Sequence, residues 1–474
     1  MGSLLVGQSG GPTAVINSTI QGVFKEALKH EEITHLYGAI HGIDGVLNER
    51  FIEITKESNL DHWNKTPGAI LGSVRFRLKK YPEDLKLYEK ILEVFKKYDI
   101  THFFYCGGND SMDTCYKIDY YFKQIGYKCT VLGLPKTVDN DLVETDHCPG
   151  YGSAAKVVST MMAEVYHDTS VYKKGRVTIV EVMGRDAGWL TASTSLANVY
   201  NNGPDLIYLP ESPFDMNKFL KDVEAIYSKQ KKVLVAVSEG IKDKDGEYIL
   251  NYQNSSEGDA FGHLQLGGVA LVLSNTVSKE LHLPVRAIEL NLPQRCASHL
   301  ASLTDVKEAF NCGAFGVKSA LKNKTGYMIA MERVSNYKIK YVLKPLDSIA
   351  EKVKAFPIEW IIDGNNISEE YINYFENNIL DELEYLLADQ LEYINTRYKP
   401  CQNTEIVLKF SINGEGNNYL YGTDIEHEAN KVAFGINYGT TTAKALFGTE
   451  TLTYGIDNQV HTLIQNKRGI VIDN

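Results

Sequence analysis

The chain has 474 residues, 43% of them hydrophobic, and a formal net charge of −11. That length supports more than one domain, and the acidic balance argues against a nucleic-acid or anionic-membrane partner while allowing a local basic pocket. No run of about 18 apolar residues offers a membrane span, and seven cysteines without a CxxC pair read as free thiols of a reducing, cytoplasmic setting.

In chain order, Met1–Gly7 is too short and lacks the basic flank expected of a signal peptide. Ser3–Val6 reads as a strand, Gly7–Thr13 as a loop and Ala14–Lys29 as a helix. Gly10-Gly11 in that loop is either a plain turn or an anion cradle. Its place before a helix favours phosphate, because free N–H groups and the helix dipole attract negative charge. Pro82-Glu83-Asp84 suits the start of a helix over Tyr81–Tyr98. Strand Thr101–Tyr105, helix Ser111–Lys123 and strand Thr130–Leu134 follow, then helix Tyr151–Tyr166 and strands Val177–Val182 and Val233–Val237. Repeated βα units with apolar strands predict an α/β fold of mainly parallel sheets sandwiched by helices. A second set of units beginning near Arg176, within a region 150–176, predicts two lobes within residues 1–400. Residues 401–474 change texture: Glu405–Phe410, Tyr419–Tyr421 and Thr451–Tyr454 have strand composition between Asn/Gly turns, a β-rich appendage.

The chemistry concentrates at two loops behind neighbouring strands, where open α/β sheets bind ligands. Gly107-Gly108-Asn109-Asp110-Ser111 brings two glycines and a carboxylate; Pro135-Lys136-Thr137-Val138-Asp139-Asn140-Asp141 brings a lysine and two carboxylates spaced i, i+2. Glycines let backbone N–H groups approach phosphate, lysine supplies a point charge, and carboxylates bind Mg²⁺ or accept a proton. This is the inventory of a phosphoryl-transfer site. Asp139 and Asp141 could instead build an Asx turn, but one carboxylate suffices for that. His147, His167 and His263 have no zinc-ligand spacing and read as structural or surface residues.

These two loops resemble the signature loops of the phosphofructokinase family, and further motifs resembling it run from Gly7 to about Arg295. The resemblance implies a two-lobed phosphofructokinase-like fold. Family members that use ATP carry glycine at the positions of Asp110 and, usually, Lys136; those that use pyrophosphate carry Asp and Lys, as here. The implied reaction is reversible phosphoryl transfer from pyrophosphate to the 1-hydroxyl of fructose 6-phosphate, with Mg²⁺ and with sedoheptulose 7-phosphate as a second candidate acceptor. By resemblance, Gly10, Gly11 and Lys136 contact pyrophosphate, and Arg75 in Gly72-Ser73-Val74-Arg75-Phe76 touches the transferred group. Asp139 is the general base, and Asp110 and Lys136 set donor choice. Thr137 and Asp141 contact the sugar, with Asp141 and Asn109 also available to Mg²⁺. Met183, Gly184 and Arg185 of the Met-Gly-Arg loop, Glu239 of Ser238-Glu239-Gly240, and Arg295 bind sugar phosphate and transferring charge. Arg176 and Arg286 match arginines that reach the 6-phosphate from a neighbouring chain, which implies a homodimer or homotetramer with shared sites. Two departures stand out: Asn109 replaces the usual aspartate, and Leu292 replaces the usual aromatic or histidine. The competing expectations are an ATP-dependent 6-phosphofructokinase and a non-catalytic sugar-phosphate-binding subunit.

Overall fold

In a computed structural model, the described residues are 2–252, 267–335 and 338–375, together with the backbone of five later strands. The chain divides into two compact units, Met1–Gln390 and Leu391–Asn474. The first contains two large sheets and one two-stranded pair. One begins with β1 (Gly2–Gln8), α1 (Ile16–Ala27), β2 (Ile33–Ala39), α2 (Gly42–Leu47), β3 (Phe51–Glu53), α3 (Leu85–Lys97), β4 (Ile100–Gly107), α4 (Asn109–Ile125) and β5 (Thr130–Pro135). After α5 (Tyr151–Ser170), the other is built from β6 (Arg176–Val182), α6 (Trp189–Ala192), β7 (Leu206–Tyr208), α7 (Met216–Gln230), β8 (Lys232–Ser238), α8 (Val269–Leu281) and β9 (Val285–Glu289). Its strand order is β7-β8-β6-β9, all parallel. A short α9 (Pro293–Cys296) and α10 (Leu303–Ala320) lead back to β10 (Tyr327–Ser335) and β11 (Lys338–Pro345), which complete the first sheet in the order β11-β10-β5-β4-β1-β2-β3. A hairpin of β12 (Ile361–Ile362) and β13 (Asn366–Ile367) and α11 (Glu369–Phe375) follow.

β1 and β5 are buried along their whole length, as expected for parallel strands covered on both faces. Separate cores fill the two sides of the first sheet. One holds Phe95, Phe103 and Phe122; the other holds Ile20, Phe24, Phe104 and Cys312. A third core, with Val177, Phe219, Val235 and Leu273, belongs to the second sheet. The α1–α10 contact depends on glycine: a side chain at Gly22 would collide with Phe310 O, and one at Gly313 with Thr19 O.

Three helix starts differ from the sequence expectation, and the first is α1, which begins at Ile16 rather than Ala14 with Val15 as its N-cap. α3 begins at Leu85 rather than Tyr81, because Lys80–Asp84 is a turn in which Glu83 N donates to Lys80 O at 2.8 Å and Leu85 N to Pro82 O at 3.1 Å. α4 begins at Asn109 rather than Ser111, because Gly108 is already an extended N-cap and its carbonyl accepts from Ser111 N at 3.0 Å and Met112 N at 3.1 Å. Asn109 and Asp110 therefore stand on a helical first turn, not in a loop.

The second unit is described by its strands alone: β14 (Lys409–Asn413), β15 (Thr441–Phe447), β16 (Glu450–Ile456), β17 (Thr462–Asn466) and β18 (Gly469–Asp473), in the order β14-β15-β16-β18-β17. Thr451–Tyr454 falls within β16. Tyr419–Tyr421 and most of Glu405–Phe410 lie outside the described residues, as do His263 and Cys401. Among the described residues, no helix is long and apolar enough to cross a membrane.

Candidate active site

The carboxyl ends of β1, β4 and β5 bring together the glycine turn, the Asn109-Asp110 helix start and the lysine–carboxylate loop. Gly10 takes φ 75°, a left-handed conformation that favours glycine. It is laced to the arginine loop: Gly10 N donates to Val74 O at 3.3 Å, and Ser73 Oγ donates to Gly10 O at 2.6 Å. Lys136 is buried, and its Nζ donates to Gly11 O at 2.6 Å. A Cβ on Gly10 would stand 3.1 Å from that nitrogen. Burial pushes the Lys136 pKa down, opposed by the negative charge of Asp139 and Asp141.

Asp139 and Asp141 flank Asn140, which holds φ 55°. Asp139 N donates to Thr137 Oγ1 at 3.1 Å, fixing the turn. Asn109 Nδ2 donates to Asp141 Oδ2 at 3.1 Å. Both carboxyl groups have raised pKa values. Asp139 is pushed up to about 7, first by burial and then by the Asp141 and Glu239 carboxylates, against the pull of Arg185 and Lys136. Asp141 is raised by burial, while hydrogen bonds including those from Asn109 and Thr137 act the other way. A carboxylate of raised basicity beside cations is suited to accept a proton.

From the second sheet, the loop after β6 faces this group. Gly184 has φ 147° and Arg185 φ 51°. Their N–H groups converge on Glu239 Oε1, at 3.3 Å and 3.1 Å. Gly240 is required beneath them, since any side chain there would run into Arg185 O. Gln294 braces the same loop: its Oε1 accepts from Met183 N at 3.2 Å, and its Nε2 donates to Asn291 O at 3.0 Å. Arg295 reaches the first lobe, where a Cβ on Gly11 would meet its Nη1 at 2.5 Å. Arg75 stands within electrostatic range of Arg185, Arg295 and Asp110; burial and the two like charges lower its pKa. Three guanidiniums and one ammonium gather near a glycine turn, interleaved with the Asp110, Asp139 and Glu239 carboxylates, a setting suited to anionic ligand oxygens.

Gly10, Gly11, Arg75, Asn109, Asp110, Lys136, Thr137, Asp139, Asp141, Met183, Gly184, Arg185, Glu239 and Arg295 thus fall on facing strand ends. Arg176 and Arg286 do not join them. Arg176 begins β6, a rise of roughly 20 Å below Val182. Its guanidinium lies 3.6 Å over the Tyr172 ring and reaches Asp168 at 3.3 Å. Arg286 pairs with Thr178 near the same amino edge and is exposed. The sequence reading assigned no role to Gln294 or Ser73; the only signal was their position inside quoted motifs. Leu292 is 56% exposed at the N-cap of α9; its side chain is apolar, and its carbonyl accepts from Arg295 N at 3.1 Å.

A divalent cation is testable against this donor set. Asn109 Oδ1 is buried without a hydrogen-bond partner, while its amide nitrogen is spent on Asp141. An orphaned oxygen beside a carboxylate fits a hard cation completed by substrate oxygens, the usual way Mg²⁺ is held. Among the described residues, no group of three His, Cys, Asp or Glu side chains could hold one unaided.

Facing parallel-sheet edges that combine a phosphate cradle, a basic carboxylate and convergent cations define a phosphoryl-transfer enzyme of the α/β class. The chain belongs to the phosphofructokinase family, whose model matches residues 3–289. It is 40% identical over 382 residues to a pyrophosphate–fructose 6-phosphate 1-phosphotransferase of Xanthomonas campestris pv. campestris, covering 79% of this chain and 90% of the relative. A counterpart in Rhodospirillum rubrum is 37% identical, over 79% and 93%. The solved pyrophosphate-dependent phosphofructokinase from Nitrosospira multiformis superimposes with a TM-score of 0.72 at 35% identity, covering 79% of this chain and 91% of that one.

Proposed function

We propose that the protein transfers a phosphoryl group reversibly between pyrophosphate and the 1-hydroxyl of fructose 6-phosphate, giving fructose 1,6-bisphosphate and phosphate. The observation that carries this reading is the buried Lys136 ammonium bound to Gly11 O beside the phosphate cradle, with Asp110 exposed on the α4 first turn. Asp110 would crowd the place where the α-phosphate of a nucleotide would sit. Two like charges near 4 Å at an effective dielectric of about 20 repel by roughly 4 kcal/mol, enough to disfavour ATP. Lys136 neutralises charge on the leaving phosphate.

Asp139 accepts the proton of the attacking hydroxyl. Arg75, Arg185 and Arg295 meet the transferring group and the sugar phosphate, and Glu239 holds the Arg185 loop and a sugar hydroxyl. Thr137 and Asp141 position the acceptor. Mg²⁺, held by Asn109 Oδ1 and Asp141, would screen the pyrophosphate charge when bound. The setting is the cytoplasm, where pyrophosphate and reduced thiols coexist with this chain. Arg176 and Arg286 serve a neighbouring copy's 6-phosphate site, which makes the working form a homodimer or homotetramer.

Turnover with pyrophosphate, with ATP and with neither tests the donor assignment. Turnover with pyrophosphate alone is expected; turnover with ATP alone would favour the ATP-dependent kinase, and inactivity with both a binding subunit. Substituting Asp110 and Lys136 together by glycine should weaken pyrophosphate use, and unchanged kinetics would overturn their role. Mixing Arg286→Ala and Asp139→Asn chains should restore activity through hybrid sites, and hybrids that form without activity would overturn site sharing.

A further inference from the structure

Lys354 lies beyond the residues matched by the family model and on none of the strands of either catalytic sheet. It nevertheless touches one catalytic loop and the helix that directly follows the other. Its N–H donates to Asp141 O at 2.7 Å. Its ammonium donates to Asp146 O at 3.0 Å, Thr145 O at 3.2 Å and Asn140 Oδ1 at 3.4 Å. On the other side, Nζ stands 4.8 Å over the Trp189 ring, and Lys354 O accepts from Trp189 Nε1 at 3.0 Å. Trp189 opens α6 directly after the Met183–Gly188 loop. Glu211 repeats the bridge: its Oε1 accepts from Gly188 N and from Phe356 N, each at 2.8 Å.

The hydrogen bonds of the ammonium go to three neutral oxygens and it faces an indole ring, while the Asp146 and Asp141 carboxylates act on it at longer range. Burying a charge on such partners costs several kcal/mol that an apolar side chain of similar volume would not incur. What the ammonium supplies is direction. Its three protons hold a stretch whose backbone is left-handed at Asn140, φ 55°, and Glu144, φ 63°. Asn140 is tied in the same knot, since its Oδ1 also accepts from Cys148 N at 3.0 Å.

We propose that Lys354 is a positioning residue: it latches the loop carrying Asp139 and Asp141 to the loop carrying Arg185, and so fixes the distance between proton acceptor and phosphoryl-binding cations. The proposal rests on the reading of Asp139 and Arg185 given above. Lys354→Met is expected to lower kcat by roughly 10²-fold, the cost of about an ångström of misplacement, with KM for both substrates nearly unchanged. Lys354→Arg should recover part of the loss. Amide exchange across residues 139–148, read by mass spectrometry, should accelerate in Lys354→Met while exchange in β1 and β4 stays as it was. If the methionine variant does not fold, Asn140→Gly tolerates the positive φ and removes the shared acceptor, and it should show the same loss confined to kcat. Near-normal kcat in the folded variant, a loss matching only the unfolded fraction, or unaltered loop exchange would overturn the latch. A wild-type enzyme that turns over no sugar phosphate would overturn the functional reading instead, and the exchange measurement would still test the latch.

Discussion

The two facing edges of the site are built on opposite plans. On the first sheet, Lys136, Asp139 and Asp141 are chemically tense: an ammonium and two carboxylates are withdrawn from water, and burial is the leading influence on all three pKa values. Left-handed backbone occurs on both edges, at Asn140 on the first and at Arg185 on the second. On the second sheet, Gly184 also takes positive φ, and the loop is braced by Glu239 and Gln294. The first edge stores reactivity and the second stores shape. Substitutions on the first should therefore strike turnover, and those on the second should strike binding.

The sharpest way to break this contrast is Asp139→Asn, expected to lower kcat by roughly 10²–10⁴-fold with little change in KM. Steady-state kinetics retaining more than a tenth of kcat would remove the first edge's claim to the chemistry. Next in size, Arg295→Ala should raise KM for fructose 6-phosphate by about 10–100-fold, the worth of charge-assisted hydrogen bonds, with kcat less affected. A purely kcat effect would merge the two edges into one. Gln294→Leu removes the brace on Met183 N and leaves a donor unsatisfied, so KM should rise about tenfold or less. An unchanged KM would show that Glu239 alone suffices to hold the loop.

A separate effect, on stability rather than turnover, lies behind the first edge. His147 is buried between Asp146 at 2.8 Å and Glu308 at 2.7 Å, and this pairing raises its pKa from the ordinary 6.5 to about 10 against the cost of burial. A raised basic group stabilises fully below its unfolded pKa and loses that contribution as pH climbs through its folded pKa. The unfolding midpoint should therefore fall as pH rises from about 6.5 to about 10. His147→Gln should flatten that slope in a thermal melt series, and an identical slope would place the dependence elsewhere.

Much of this was legible in the residues. Apolar runs announced β1, β4, β5, β6 and β8, and glycines, Lys136 and the paired aspartates announced the loops that follow them. Chain-local patterns could not show that β10 and β11 return to finish the first sheet, because that pairing joins Tyr327 to Leu132 across the whole of the second sheet. They could not reveal Lys354, one of two lysines in Glu351–Lys354, because its partners lie at sequence distance. Nor did they place Asn109 and Asp110 on a helix, since Gly107-Gly108 reads equally well as loop or cap.

That late return has a consequence for how the chain is made. Every strand of the second sheet lies between Arg176 and Glu289, whereas the first sheet still lacks β10 until Tyr327–Ser335. As the chain is synthesised from its amino end, the lobe started second is completed first. Meanwhile β5, apolar and buried in the finished protein, presents an open edge that invites mispairing. A nascent chain paused near residue 300 carries one finished sheet and one exposed edge, which makes that interval the point at which folding most needs protection from other chains.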